Sequence, residues 1–107
     1  MIASSLSSAE EAICRQVEMV VRQRLAGHPH MKLSLVGSRA AGTARPRSDF
    51  DFVVDAGKPL PPADWHELLD GIRDLPTLYK IEVVDWRGAS EDFKQLATPQ
   101  AITLLDI

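Results

Sequence analysis

The sequence has little that would cross-link it or carry it into a membrane. It contains one cysteine, Cys14, so no internal disulfide can form. No apolar run approaches the ~20 residues a membrane-spanning helix needs. The opening residues Met1-Ile2-Ala3-Ser4-Ser5 have neither the charged nor the apolar stretch of a secretory leader. Positive charge is not in excess, because 12 Lys and Arg stand against 15 Asp and Glu for a net charge of -3. That balance argues against a long nucleic-acid duplex as partner. Repeats and low-complexity tracts are also lacking. Together these absences predict a soluble protein of a reducing compartment, the cytoplasm, with no membrane partner.

What is present suits a folded domain. Hydrophobic residues make up 45% and charged residues 25% of 107 residues, which excludes disorder and predicts one domain over residues 1–107. A domain of this size has little material for a deep acceptor-binding pocket.

Ser8 and Glu11 have the spacing of a capping box, which predicts a helix from there to Leu25. Ile13, Val17, Val20 and Val21 form its apolar stripe, and Cys14 beside them reads as a packed side chain. Met31–Val36 alternates like a half-buried strand and ends at Gly37-Ser38, where a helical turn over Arg39–Thr43 follows. Asp49–Val54 reads as a second strand rich in aromatic and branched residues. Trp65, Leu68, Leu69, Ile72 and Leu75 recur at helical spacing until Pro76. Leu78–Trp86 is a third strand, Ser90 is placed to cap a last helix through Leu96, and the tail Ala101–Ile107 fits no single element. This order predicts an α+β fold, a small mixed sheet with helices packed on it.

Chemistry concentrates around the second strand. Asp49 and Asp51 alternate with Phe50 and Phe52, so the carboxylates share one face and the rings the other. Asp85 ends a strand that could lie beside it. Like charges facing each other across a sheet are destabilising, and a hard divalent cation such as Mg²⁺, held by carboxylates and phosphate oxygens, is the simplest compensation. Taken singly, each Asp is better explained as a solvated strand end. Gly37-Ser38-Arg39 shifts the balance, since a strand end that opens into a helical turn offers backbone N–H groups and a hydroxyl to phosphate.

Two other motifs fail on inspection. Gly37 and Gly42 have P-loop spacing, but Thr43-Ala44 stands where Lys-Ser/Thr is required. Asp49-x-Asp51 begins like a calcium loop, yet Val53 and Val54 occupy the following key positions. His28 and His30 flank Pro29 without a further ligand nearby, which disfavours zinc.

The stretch Gly37-Ser38-Arg39-Ala40-Ala41-Gly42, followed by Ser48-Asp49-Phe50-Asp51-Phe52-Val53-Val54 and then Val83-Val84-Asp85, resembles the polymerase-beta-type nucleotidyltransferases. It is most similar to their minimal branch, the MNT proteins paired with HEPN partners in toxin–antitoxin modules. The resemblance covers residues 31–86 and implies a nucleotidyltransferase palm. It implies that Gly37 and Ser38 bind the β- and γ-phosphates of ATP, with Arg39 reaching the triphosphate as a charge-assisted donor. Asp49 and Asp51 would hold two Mg²⁺ ions, and Asp85 would complete the metal site and help deprotonate the acceptor. Arg45 and Arg47 fit a solvated loop better.

The implied activity is transfer of AMP from ATP to a hydroxyl, a tyrosine of a HEPN toxin, which makes the chain an antitoxin in a hetero-oligomer. Shortness points the same way, because the acceptor must bring its own binding surface. The alternatives are a non-catalytic module that neutralises its partner by tight association and a transferase acting on a small molecule.

Overall fold

A computed structural model describes residues 6–107 of the chain. The N-terminal stretch read above for a leader, residues 1–5, lies outside the described residues.

The first helix, α1, spans Ser8–Arg24. Its capping box is built one residue earlier than the spacing suggested: the Glu10 N–H donates to Ser7 Oγ at 3.1 Å and the Ser7 N–H donates to Glu10 Oε1 at 2.9 Å. Both Ser-x-x-Glu pairs satisfy the local rule. Only the one ending at Glu10 also meets Arg39, whose Nη1 lies 3.0 Å from Glu10 Oε2. A tertiary ion pair thus selects the cap. The inner face of α1 buries Ile13, Cys14, Val17, Val20 and Val21. Burial, reinforced by Glu10 and Glu11, pushes the Cys14 thiol up to about 11, so it is an inert packing group.

The remaining elements are β1 Lys32–Val36, α2 Gly37–Ala41, β2 Phe50–Asp55, α3 Pro62–Arg73, β3 Ile81–Asp85, α4 Glu91–Ala97 and β4 Ile102–Asp106. Short 3-10 turns follow β3 and α4. Ser90 caps α4 as expected, its hydroxyl accepting from the Phe93 N–H at 3.1 Å. The tail that fitted no element is an edge strand, β4.

The sheet order is β3-β2-β1-β4. Strand β1 runs antiparallel to both β2 and β4, whereas β2 and β3 are parallel, which makes the sheet mixed. Its inner face carries Leu33, Leu35, Phe50, Phe52 and Val54, all at most 1% exposed, packed with the buried residues of α1 and α3. Helices α1 and α3 cross closely at Gly71, where a Cβ would lie 2.6 Å from a Val20 methyl. The opposite face is only partly covered: Val36 and Val53 pack with Ala97, Trp86 and Phe93 of the α4 region. That open face is where the polar residues gather.

Candidate active site

The side-chain alternation that buries Phe50 and Phe52 turns Asp51 to the open face. Register then decides its neighbours. Asp51 pairs with Val36 of β1 on one side and with Glu82 of β3 on the other. The chain leaves β1 at Gly37 with φ +75, and a Cβ there would sit 2.6 Å from Asp51 Oδ2. Only glycine lets this backbone run against the carboxylate.

Asp51 is half-buried, and its carboxyl is pushed above the ordinary range first by burial, then by the charges of Glu82 and Asp49, with Lys80 opposing. Three acids therefore act on one spot. Asp49 precedes β2 by one residue and is partly exposed. Glu82 is more open, its side chain 50% exposed and 3.5 Å from Lys80 Nζ. Among the described residues no group of three His, Cys, Asp or Glu side chains is gathered closely enough to hold a metal ion by itself. An all-oxygen, open donor set of this kind fits a hard cation that completes its shell with water and substrate phosphate.

Asp85 does not join this group. It pairs with Val54, a residue of the inner face, and its carboxylate accepts from the Leu60 N–H at 3.0 Å and the Arg87 N–H at 3.1 Å. It ties the connector before α3 to the turn after β3. The parity of the parallel pairing is the reason: Glu82 and Asp85 are three apart, so they fall on opposite faces. Glu82 is the acid that residue-by-residue reading overlooked, although the alternation Ile81-Glu82-Val83-Val84 marked it once the register was known.

Arg39 is also directed elsewhere. It is 7% exposed, donating to Glu10 and to the Pro46 and Ser48 carbonyls at 3.1 and 2.8 Å. Its guanidinium lies 4.4 Å from the Phe50 ring centre and 5.2 Å from that of Tyr79. The expected reach to a triphosphate gives way to a buried strut that fixes the loop ahead of Asp49. Breaking a buried pair leaves its partner uncompensated, so Arg39→Ala is expected to cost about 3 kcal/mol of stability in urea unfolding. The Glu10 carboxyl is held below its ordinary 4.5, chiefly by the Ser7 N–H, with burial opposing and Arg39 adding to the depression. Its contribution to stability is complete above 4.5 and is lost as pH falls through the depressed folded value. Glu10→Gln should flatten that acid limb, measured as stability against pH.

The rest of the sequence-level candidates are peripheral. Arg45 and Arg47 are exposed on the loop. His28 Nε2 lies 2.9 Å from Asp64 Oδ2 and joins the loop before β1 to α3.

A groove of about 410 Å³ runs along the open face. It joins Gly37, Asp51 and Glu82 to an apolar wall of Val84, Phe93 and Leu96. The nucleotidyltransferase domain family matches residues 14–96, a span that holds every residue of the acid group.

The chain belongs to the nucleotidyltransferase domain family.

Over 60 residues it is 28% identical to a Haemophilus influenzae protein named "Probable protein adenylyltransferase MntA", a match covering 56% of this chain and 53% of that protein. The chain thus spans about half the length of the curated relative it matches. Among solved structures, this nucleotidyltransferase-family chain superposes on a toxin–antitoxin complex with AMP-PNP at a TM-score of 0.67, with 25% identity over 88% of this chain and 73% of that one. It also matches the structure of a tri-AMPylated Shewanella oneidensis HEPN toxin in complex with MNT antitoxin, at TM-score 0.66 and 19% identity, covering 91% and 72% of the two chains. The second likeness is one of fold. Among the described residues no helix is long and apolar enough to cross a membrane.

Proposed function

We propose that the chain is a Mg²⁺-dependent nucleotidyltransferase that moves AMP from ATP to a tyrosine hydroxyl of a HEPN-type toxin, and that it serves as the antitoxin in a complex with that toxin in the cytoplasm. The observation that carries this reading is the packing of Gly37 on Asp51, which sets the backbone turn that opens α2 directly against an acid group. The named relatives support the adenylyl donor and the toxin partner.

Gly37 and Ser38 hold the β- and γ-phosphates through backbone N–H groups and the Ser38 hydroxyl. Asp49, Asp51 and Glu82 would supply the protein's oxygen ligands for two Mg²⁺ ions, with substrate phosphate and water completing each shell. Bound there, the ions would stabilise the attacking and leaving oxygens of an in-line displacement. The tyrosine oxygen forms a bond to the α-phosphorus, the bridge to the β-phosphate breaks, and pyrophosphate leaves. Glu82, the most open of the three acids, takes the phenolic proton on its carboxylate. This role moves to Glu82 from Asp85, whose oxygens are committed to backbone N–H groups.

Transfer of label from ATP labelled at the α-phosphate to the proposed HEPN-type toxin partner tests the reading. Glu82→Gln should lower the transfer rate by about 10²-fold or more. Asp85→Asn should instead cost about 1.5 kcal/mol of stability while transfer at low temperature persists. The reverse pattern would return Asp85 to the site.

A further inference from the structure

The open face of the sheet holds a second cavity, of about 250 Å³, toward the start of β1 and the end of β2. Val36 alone lines both this cavity and the acid groove, and it packs with Val53 and Ala97 as a ridge between them. The nucleotide and metal chemistry proposed above makes no use of the space beyond that ridge.

Its lining carries polar groups that the fold leaves unmatched. Ser34 is 7% exposed and faces the cavity, yet its hydroxyl makes no hydrogen bond among the described residues. Buried hydroxyls are normally paired, because an unmet one has given up water without compensation. Thr103, the register partner of Ser34 on β4, brings a second hydroxyl to the same lining and does not bond to the first. Lys32, two residues back along β1 and so on the same face, also lines the cavity and makes no ion pair among the described residues. Its partner on β2, Asp55, is already committed. There Oδ1 accepts from the Gly57 N–H at 2.8 Å and from Arg87 Nε at 2.9 Å, while Arg87 Nη2 lies 3.4 Å from Oδ2. Its partner on β4, Asp106, is exposed and does not line the cavity. The Thr98 hydroxyl is spent on the Lys94 carbonyl at 2.7 Å. What remains is one ammonium and two hydroxyls, all donors, with no free carboxylate in the lining. Beside them are Val36, Val53, Ala101 and the Trp86 ring.

We infer that this cavity binds a small oxyanion carried on a single flat ring, an aromatic carboxylate or an aryl phosphate ester. The anion sits on Lys32, Ser34 and Thr103, and the ring lies against Trp86. Donors that include a cation bind a charged acceptor more strongly than a neutral one, and an indole face favours a second aromatic ring. The size limits the occupant, since the cavity falls below the ~300–1,000 Å³ of sites for drug-sized ligands. This site stands apart from the acid group and does not depend on the function proposed for it.

NMR titration of the full chain with benzoate, phenyl phosphate and benzyl alcohol tests the assignment, reading the Trp86 indole N–H and the Ser34 and Thr103 amides. Both anions should shift these signals saturably, and benzyl alcohol, the same ring without charge, should bind about tenfold more weakly. Lys32→Met should weaken both anions about tenfold and remove their advantage over benzyl alcohol. Ser34→Ala, which deletes only a hydroxyl, should weaken them severalfold. Benzoate binding unchanged in both variants overturns the site, as does benzyl alcohol binding as tightly as the anions. Shifts that do not saturate, or benzoate displaced by ATP with Mg²⁺, also overturn it, the latter by placing the anion in the acid groove.

Discussion

Asp51→Asn is expected to abolish adenylyl transfer, lowering the rate by about 10³-fold, because several kcal/mol of transition-state charge stabilisation pass through its carboxylate and each 1.36 kcal/mol is a factor of ten. The position is unusual in having three independent reasons to matter. It pairs with both neighbouring strands of the open face, it lies against Gly37, and its charge is destabilised by Glu82 and Asp49. That destabilisation fixes the sign of a second effect. Removing a carboxylate that is raised by burial and by like charges relieves repulsion in the metal-free protein, so Asp51→Asn should unfold at an equal or higher temperature than wild type. Loss of transfer with retained stability separates a functional acid from a structural one. Label transfer measured beside a thermal melt reads both.

Gly37→Ala should have the next largest effect. An alanine at φ +75 carries a left-handed cost of about 1–2 kcal/mol, which corresponds to roughly 5–10 °C of melting temperature for a domain of this size. The steric effect is larger than that cost. A Cβ placed 2.6 Å from Asp51 Oδ2 must displace the carboxylate, and misplacing a catalytic group by about 1 Å can cost 10²-fold in rate. Transfer should therefore fall by about 10²-fold, further than the melt alone predicts. Gly27→Ala is the matched control, since nothing lies within 4 Å of a Cβ there; it should transfer label as wild type does.

These expectations rest on features that were unequally legible in the sequence. The strand expected over Asp49–Val54 from its aromatic and branched residues forms one residue later as Phe50–Asp55, and the burial of its two rings followed from their alternation with the acids, which needs no partner to be read. Helices α1 and α3 could be seen from their stripes and breakers, although the α1 cap shifted to the serine whose glutamate meets Arg39, while α4 showed through its Ser90 cap and the turn expected over Arg39–Thr43 forms two residues earlier as α2. The edge strand Ile102–Asp106 was hidden, since its short apolar run is compatible with either period until β1 is there to pair with.

The site was harder for the same reason. Which acid of Glu82 and Asp85 stands beside Asp51 depends on the parallel register of β2 and β3, a tertiary fact that no local pattern contains. Arg39 sits next to Gly37-Ser38 in sequence, yet the helical turn carries its side chain back to Glu10 and the Phe50 ring. Neighbourhood in sequence misled for Arg39, and for Asp85 the strand end was read without the parity that places it on the other face. Gly37 and Asp51, separated in sequence and joined by the β1–β2 pairing, are brought together by the fold.

The most direct measurement is the intact mass of the HEPN-type toxin proposed as its partner after incubation with this chain, ATP and Mg²⁺. The account predicts that the wild-type chain raises that mass by whole adenylate units and that Asp51→Asn leaves it unchanged. An unmodified HEPN protein with the wild-type chain, or an equal mass increase with Asp51→Asn, would contradict it.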